Sequence, residues 1–474
     1  MSSSSRRPGP QPLPAPDSFT DLLALASEGA RQADEEGVLS LAMAIAPGDP
    51  MALLPHLEGG DSFRFLWDGA PGLCIAASGR TNSLELSGPR RFELAQRFAS
   101  ASLNRLAGAQ VACPPLARPR VLLAFGFFDA PLDTSVAAIP GVQAVLPRWQ
   151  LSRHGQHCWL RLQRPLGGGV TARSLAEELW EKARQLERHS HASAASATVA
   201  VALRTPWQEN YRQAAAQALE LVEGGALQKL VLAVRQQLTL SAQPDPLGLL
   251  APLRRHQGGS CRLLWQRCAG SALIGASPER LLTVRQGQLR SDALAGTAPA
   301  DKRAASLLHS TKDRLEHELV VDTITAVLSR AGLNPRRPRH PRLARHGQLV
   351  HLHSPISACL GRQQPLAIAA ALHPTPAVAG LPRREAMAWL RNLEPFERGH
   401  YAAPIGWIDS AGDLDLRVAI RSGTVEGRQL ELTAGAGLVP GSAVDRELQE
   451  VALKLGVLQQ QLNLPQPTRL AGPA

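Results

Sequence analysis

No apolar run in this 474-residue chain approaches the ~18 residues that a membrane-spanning helix needs. Arg, Gln, Gly and Pro interrupt every candidate, so no membrane partner is expected. The six cysteines (Cys74, Cys113, Cys158, Cys261, Cys268 and Cys359) include no C-x-x-C pair. That spacing argues against a zinc site or a thiol redox motif. The opening residues Met1 to Arg7 lack the apolar stretch of a secretory signal, and reduced cysteines with no such signal indicate a cytoplasmic protein. There is no G-x-S-x-G, no Walker A loop and no H-E-x-x-H, which removes the commonest signatures of hydrolases, nucleotide sites and metalloproteases.

Acid is in short supply relative to base, giving a net charge of +11. The densest basic stretch holds Arg336, Arg337, Arg339, Arg342 and Arg345, broken by Pro335, Pro338 and Pro341. It has no interleaved aromatics, and its prolines oppose a recognition helix. It is read as an exposed loop, with no nucleic-acid partner expected. A basic surface would still help gather a small polyanion.

The hydrophobic share of 44% is ample for a large core. Length alone suggests about three domains at ~150 residues each. Residues 1–17 are Ser/Pro-rich and read as a disordered tail, and 466–474 as a flexible one. Residues 18–200 carry helix and strand patterns without assignable chemistry, such as the buried strand Val121 to Phe127 and a small-residue linker from His189 to Ala197. From Pro206 the patterns sharpen. Trp207 to Glu223 predicts a helix ended by Gly224-Gly225, and Lys229 to Leu238 a strand. Lys312 to Leu328 predicts a helix whose core face includes Leu315, Leu319, Ile324, Val327 and Leu328. Arg417 to Ser422 and Leu430 to Ala434 predict neighbouring strands.

Several residues along this second half could carry chemistry. Lys229 begins an apolar strand; it is either a solvated end or a buried amine able to act as a general base. Glu279 follows Gly275-Ala276-Ser277-Pro278, where the proline makes a rigid turn. It either opens a helix or is held as a general acid. Glu316 sits in a charged helical run that is either a solvated face or, with Glu450, an oxygen-rich pair suited to magnesium. Ala293 to Thr297 and Ala434 to Gly437 are small-residue turns that allow close approach of a ligand. His351 and His353 share a strand face; one substrate-facing histidine fits better than a zinc pair. After the second turn, Glu447, Glu450 and Lys454 fall at i, i+3, i+7 on one helix face. They read either as an ordinary Glu–Lys surface pair or as a place for a cation and an anion together.

The order of these pieces carries a resemblance. Lys229-Leu230-Val231-Leu232-Ala233, Gly275 to Leu281, Ala295-Gly296-Thr297 and Lys312 to Val320 are joined by Leu372 to Gly380, Arg398 to Tyr401 and Pro404 to Trp407. Ala419 to Ser422 and the C-terminal run complete the set. From about Pro206 to Leu464 the chain resembles the chorismate-utilising enzymes, a family that includes anthranilate synthase component I and salicylate synthase. Within it, the chain looks like an isochorismate synthase. The lysine at position 229 is the one that activates water there; the ammonia-using branch has glutamine. Ala377 stands where that branch has threonine, and Ala295 where aminodeoxychorismate synthases carry a nucleophilic lysine. No glutaminase subunit is therefore expected.

The resemblance implies an α/β (α+β type) fold of two mostly antiparallel sheets packed face to face with helices outside. Residues 18–200 then belong to the same unit as the chorismate-binding region 201–465. It implies that Lys229 is the base that activates water and Glu279 the acid. It implies Mg²⁺ held by Glu316 and Glu450, with Glu447 on a metal-bound water. Arg421 and Tyr401 would take the enolpyruvyl carboxylate, Gly296, Gly435 and Lys454 would complete the anion site, and Thr297, His351 and Ala377 would line it. The nearest alternative is a salicylate synthase, with the aminating enzymes and a non-catalytic basic binding protein further off. Three positions depart from the family pattern. The arginine expected at 234 comes one residue later, at Arg235. Ala300-Asp301 replaces an Arg-Gly, and Ala403 replaces a glycine. The shifted arginine requires either a bulge or the loss of its contact.

Overall fold

The computed structural model describes residues 18–33, 37–69, 72–108, 113–132, 138–189 and 199–464. Both predicted tails and most of the predicted linker lie outside these residues.

Strand patterns dominate. The twenty strands described are hydrogen-bonded into one continuous sheet. All pairings are antiparallel except Val38–Ile45 with Leu106–Ala107. The mostly antiparallel layers expected are linked by hydrogen bonds into this one network, and one strand shows how. Val142–His154 pairs through Val142 to Val145 with the strand Arg120–Phe125. Through Trp149 to His154 it pairs instead with His157–Pro165. Pro147 sits between the two halves, opposite a register shift from Arg80 to Asn82 in the next strand. Proline has no N–H to give the ladder, and a bulge bends the strand that carries it. Paired along its other edge with Cys74–Leu86, this one long strand ties three groups of strands together.

The two halves of the chain interleave. Arg64–Gly69 pairs with Cys261–Cys268, and Arg120–Phe125 with Pro404–Asp409. One large apolar core and a second, aromatic-rich cluster around Phe63, Trp67, Trp265 and Trp407 fill the interior. Among the described residues no helix is long and apolar enough to cross a membrane. The described cysteines form no disulfide; Cys74, Cys158 and Cys261 are buried.

The site-bearing elements follow from local sequence. The helix Gln208–Glu223 ends at Gly224. The strand Lys229–Leu240 pairs along its length with Gln429–Leu438. The helix Thr311–Arg330 starts at Ser310, whose side chain accepts from Asp313 N, the usual N-cap arrangement. Its buried face is Glu316, His317, Val320, Val321, Ile324 and Leu328. Leu315, expected in the core, is 42% exposed, and Leu319 and Val327 are half-buried. The face is rotated because the helix turns Glu316 and His317 inward toward the site.

Three further expectations change. Ala434 to Gly437 is not a turn but the interior of the strand Gln429–Leu438. Ala293 to Thr297 also lies inside a strand, Gln288–Pro299, with a bulge between Ala295 and Ala298 where Gly296 takes φ +68°. The expected strand from Arg417 to Ser422 breaks: Leu414–Val418 ends, Arg421 takes φ +51°, and Ser422–Glu426 begins. A left-handed residue cannot continue a ladder.

The departures from the family pattern are local. The ladder between Lys229–Leu240 and Gln429–Leu438 runs through Val234 and Arg235 without a shift, so no bulge compensates. Val234 packs in the core. Arg235 pairs instead with Glu431 at 3.2 Å and stacks on Phe396. Ala402, not Ala403, carries the positive φ in its loop, so the missing glycine at 403 costs nothing.

Candidate active site

Strand and helix ends converge on a cavity of about 90 Å³. Eleven of the thirteen residues expected in the site line it: Glu279, Gly296, Thr297, Glu316, His351, Ala377, Tyr401, Arg421, Gly435, Glu450 and Lys454. The other two, Lys229 and Glu447, lie just behind the wall.

Lys229 is 0% exposed. Its Nζ lies 3.0 Å from Glu316 Oε1 and makes no other polar contact among the described residues. Gly437 lies against the pair: a Cβ there would stand 2.3 Å from Glu316 Oε1 and 3.1 Å from Lys229 Cε. The glycines of the C-terminal run thus serve close approach within a strand rather than in a turn.

Two more lysine–carboxylate pairs adjoin this one. Lys312 Nζ donates to Glu447 Oε1 at 2.6 Å, and Lys454 Nζ lies 2.7 Å from Glu450 Oε1 while donating to Gly435 O at 2.8 Å. The i, i+4 pair on the helix Val444–Gln461 is therefore real, but Glu447 turns to Lys312 on another helix. Burial opposes ionisation of Glu316, yet Lys229 and Lys312 prevail and hold its carboxyl below the ordinary range. Glu447 goes the other way: burial, and repulsion from Glu450 and Glu316, push it up against the pull of Lys312. Its Oε2 is buried and unpaired among the described residues.

Glu279 stands on the turn after Ser271–Ser277, where its N–H donates to Ser277 Oγ at 3.2 Å. A strand follows, Arg280–Arg285, which removes the helix-start alternative. Burial pushes its carboxyl up to about 8, with Asp292 adding to the rise and Lys229 and Lys454 opposing it. Glu279 is therefore a neutral acid at pH 7, able to donate a proton.

At the anion end, His351 Nδ1 lies 2.8 Å from Gly296 O. A carbonyl only accepts, so Nδ1 carries the proton. Arg421 then donates to Nε2 and, at 3.1 Å, to His346 O. Burial, and then Arg421, hold His351 well below the usual histidine range, keeping it neutral. Arg421 is lowered to about 10 by burial and stays charged at neutrality. His353 pairs with Asp292 at 3.2 Å.

Sequence reasoning missed Lys312, Gly437 and the pair Glu394–Arg398. Lys312 precedes Glu316 by four residues, a spacing that places both on one helix face. The buried Arg398 holds Glu394 Oε2 at 2.7 Å and donates to Val378 O at 2.7 Å and Val231 O at 2.8 Å. Glu394 in turn accepts from Ala233 N at 2.8 Å. The pair therefore ties the Lys229 strand to the Ala377–Val378 loop. The two residues are four apart, a local spacing that could have pointed to the pair.

Among the described residues no three ligating side chains are poised around one point, because each carboxylate is turned to a lysine. The donor set nevertheless fits a hard cation. Glu450 and Glu316 both act electrostatically on Glu447, which keeps one orphaned oxygen; carboxylate oxygens of this kind suit a hard divalent cation.

Residues 24–463 match the family described as chorismate binding enzyme, and the chain belongs to that family. Relatives of this chain include proteins named as isochorismate synthases. It is 38% identical over 259 residues to the salicylate biosynthesis isochorismate synthase of Pseudomonas aeruginosa, covering 52% of this chain and 53% of that protein. To isochorismate synthase DhbC of Bacillus subtilis it is 36% identical over 267 residues, covering 52% of this chain and 66% of that one. Among solved structures, the fold is that of MenF, the menaquinone-specific isochorismate synthase from Escherichia coli. The TM-score is 0.74 at 24% identity, over 93% of this chain and 100% of that one.

Proposed function

We propose that this chain is an isochorismate synthase, converting chorismate to isochorismate. The observation that carries the reading is the wholly buried Lys229 on one side of the cavity wall and Glu279, neutral up to about pH 8, on the cavity itself. A base and an acid with separate environments are what this isomerisation needs. Lys229, neutral when it acts, takes a proton from a water as its oxygen bonds to C2 of the ring. The double bonds shift, the C4–O bond breaks, and Glu279 gives its proton to the leaving hydroxyl. One water enters and one leaves; Lys229 then gives up its proton and Glu279 regains one through solvent, which restores both groups. Arg421 and Tyr401 hold the enolpyruvyl carboxylate, the Arg fork matching its geometry. Gly296, Thr297, Gly435, Lys454, His351 and Ala377 complete the pocket.

Glu316 and Glu450 would hold magnesium, with Glu447 on one of its waters. When bound, the ion supplies positive charge that draws and orients the ring carboxylate. Six cysteines with no disulfide described support a reduced, cytoplasmic setting.

Incubation of the purified chain with chorismate and Mg²⁺, followed by chromatography, tests this. Isochorismate from the native chain, its loss with EDTA and its absence with Lys229→Ala are expected. Salicylate with pyruvate, an ammonia-dependent amino product, or no turnover would overturn it.

A further inference from the structure

Behind the active site, one aromatic hydroxyl lacks a partner. Tyr211 lies in the first turn of the helix Gln208–Glu223, edge-on to Trp207 with ring centroids 6.1 Å apart. It is 2% exposed and does not line the cavity. Its hydroxyl makes no hydrogen bond among the described residues. An unsatisfied buried polar group costs about 1–3 kcal/mol, so packing alone favours phenylalanine here.

The helix packs on Val444–Gln461. Glu447 of that helix is the charged group that acts most strongly on Tyr211, followed by Glu450. Glu447 has the complementary deficiency. It is buried, Lys312 takes its Oε1, and its Oε2 is unpaired. A phenol can donate where a carboxylate oxygen can only accept.

We propose that Tyr211 is a positioning residue for Glu447, supplying from its hydroxyl through one water the second hydrogen bond that orients this carboxylate toward a divalent cation. The idea rests on the reading of Glu447 as part of the metal site. Residues that orient metal-site groups from behind typically change metal affinity 10–100-fold when lost. Here the effect falls at the lower end, because Lys312 still holds the other oxygen.

The test uses Mn²⁺ as the probe, with free ion counted by electron paramagnetic resonance in the full chain. Tyr211→Phe should weaken Mn²⁺ binding about 10-fold while the metal-free melting midpoint stays the same or rises. In a Glu447→Gln background the same change should have no further effect, since the two groups act as one unit. Equal affinity in native chain and Tyr211→Phe would overturn the proposal, as would an undiminished loss in the Glu447→Gln background. So would a native chain that binds no Mn²⁺, or a variant that loses binding along with a lowered melting midpoint. The assigned reaction is judged separately by product chromatography, so an inactive but Mn²⁺-binding chain would sink the reaction without touching Tyr211.

Discussion

Lys229 Nζ and Glu316 Oε1 stand 3.0 Å apart at the wall of the cavity, the lysine wholly buried. The proposed base and a proposed metal ligand therefore share one contact. Removing the lysine strands a carboxylate inside the protein, and breaking a buried pair from one side typically costs about 3–5 kcal/mol. Lys229→Met should lose turnover and lower the unfolding free energy by about 3 kcal/mol in urea titration. Lys229→Met with Glu316→Leu should recover most of that stability and none of the activity. Equal stability of native chain and single variant would show that the contact contributes nothing.

Glu279 should give the chain a characteristic pH response. Its folded-state carboxyl sits at about 8, above the ~4.3 of an exposed glutamate. Below the lower value it is protonated in both states and has no effect. Between the two, the unfolded chain ionises and the folded one does not, so stability falls as pH rises. Above about 8 the folded state also ionises and the fall stops. Glu279→Gln should flatten this slope between about pH 5 and 8 in denaturation series. In the native chain, turnover should decline above about pH 8 as the acid loses its proton. A turnover profile flat through pH 9 would remove Glu279 from the role of acid.

Gly437 should tolerate no side chain. An added methyl would meet Glu316 Oε1 at 2.3 Å, far inside contact distance. Gly437→Ala should reduce kcat by about 100-fold, the scale expected when a reacting group is displaced by about 1 Å. Its circular dichroism should stay native. Unchanged kcat would mean that Glu316 can move without consequence.

The Glu394–Arg398 pair should matter for stability and catalysis together. Arg398→Met leaves Glu394 buried without its cation and frees the carbonyls of Val231 and Val378. A loss of about 3–5 kcal/mol is expected, with kcat reduced because the strand that carries Lys229 loses its tether. Replacing both residues by apolar ones of similar size should restore stability more than kcat. Parallel recovery of the two would show the pair to be structural only.

Much of the site was legible because its parts sit in short, ordered runs. A lysine heading an apolar strand, Ser-Pro-Glu on a turn, and Glu447, Glu450 and Lys454 on one helix face each announce local geometry that the structure retains. Arg421 was placed in the site by the resemblance but read as part of a continuous strand; its left-handed backbone follows from where the two flanking strands must go. Lys312 could have been found from its four-residue spacing to Glu316. Its partner, Glu447, is 135 positions away, and no local rule pairs them. Leu315 misled because helical periodicity gives a stripe but not its rotation about the axis, and two polar residues took the inward face.

The amino-acid order alone determined the elements, the family and the set of chemically competent side chains, because hydrophobic period, turn residues and motif spacing act over a few residues. Tertiary structure alone decided the pairing: which lysine neutralises which carboxylate, that burial raises the Glu279 carboxyl, and that the strand Val142–His154 serves three neighbouring strands. Those outcomes depend on burial and on contacts between distant segments, and both arise only when the strands and helices close around one another.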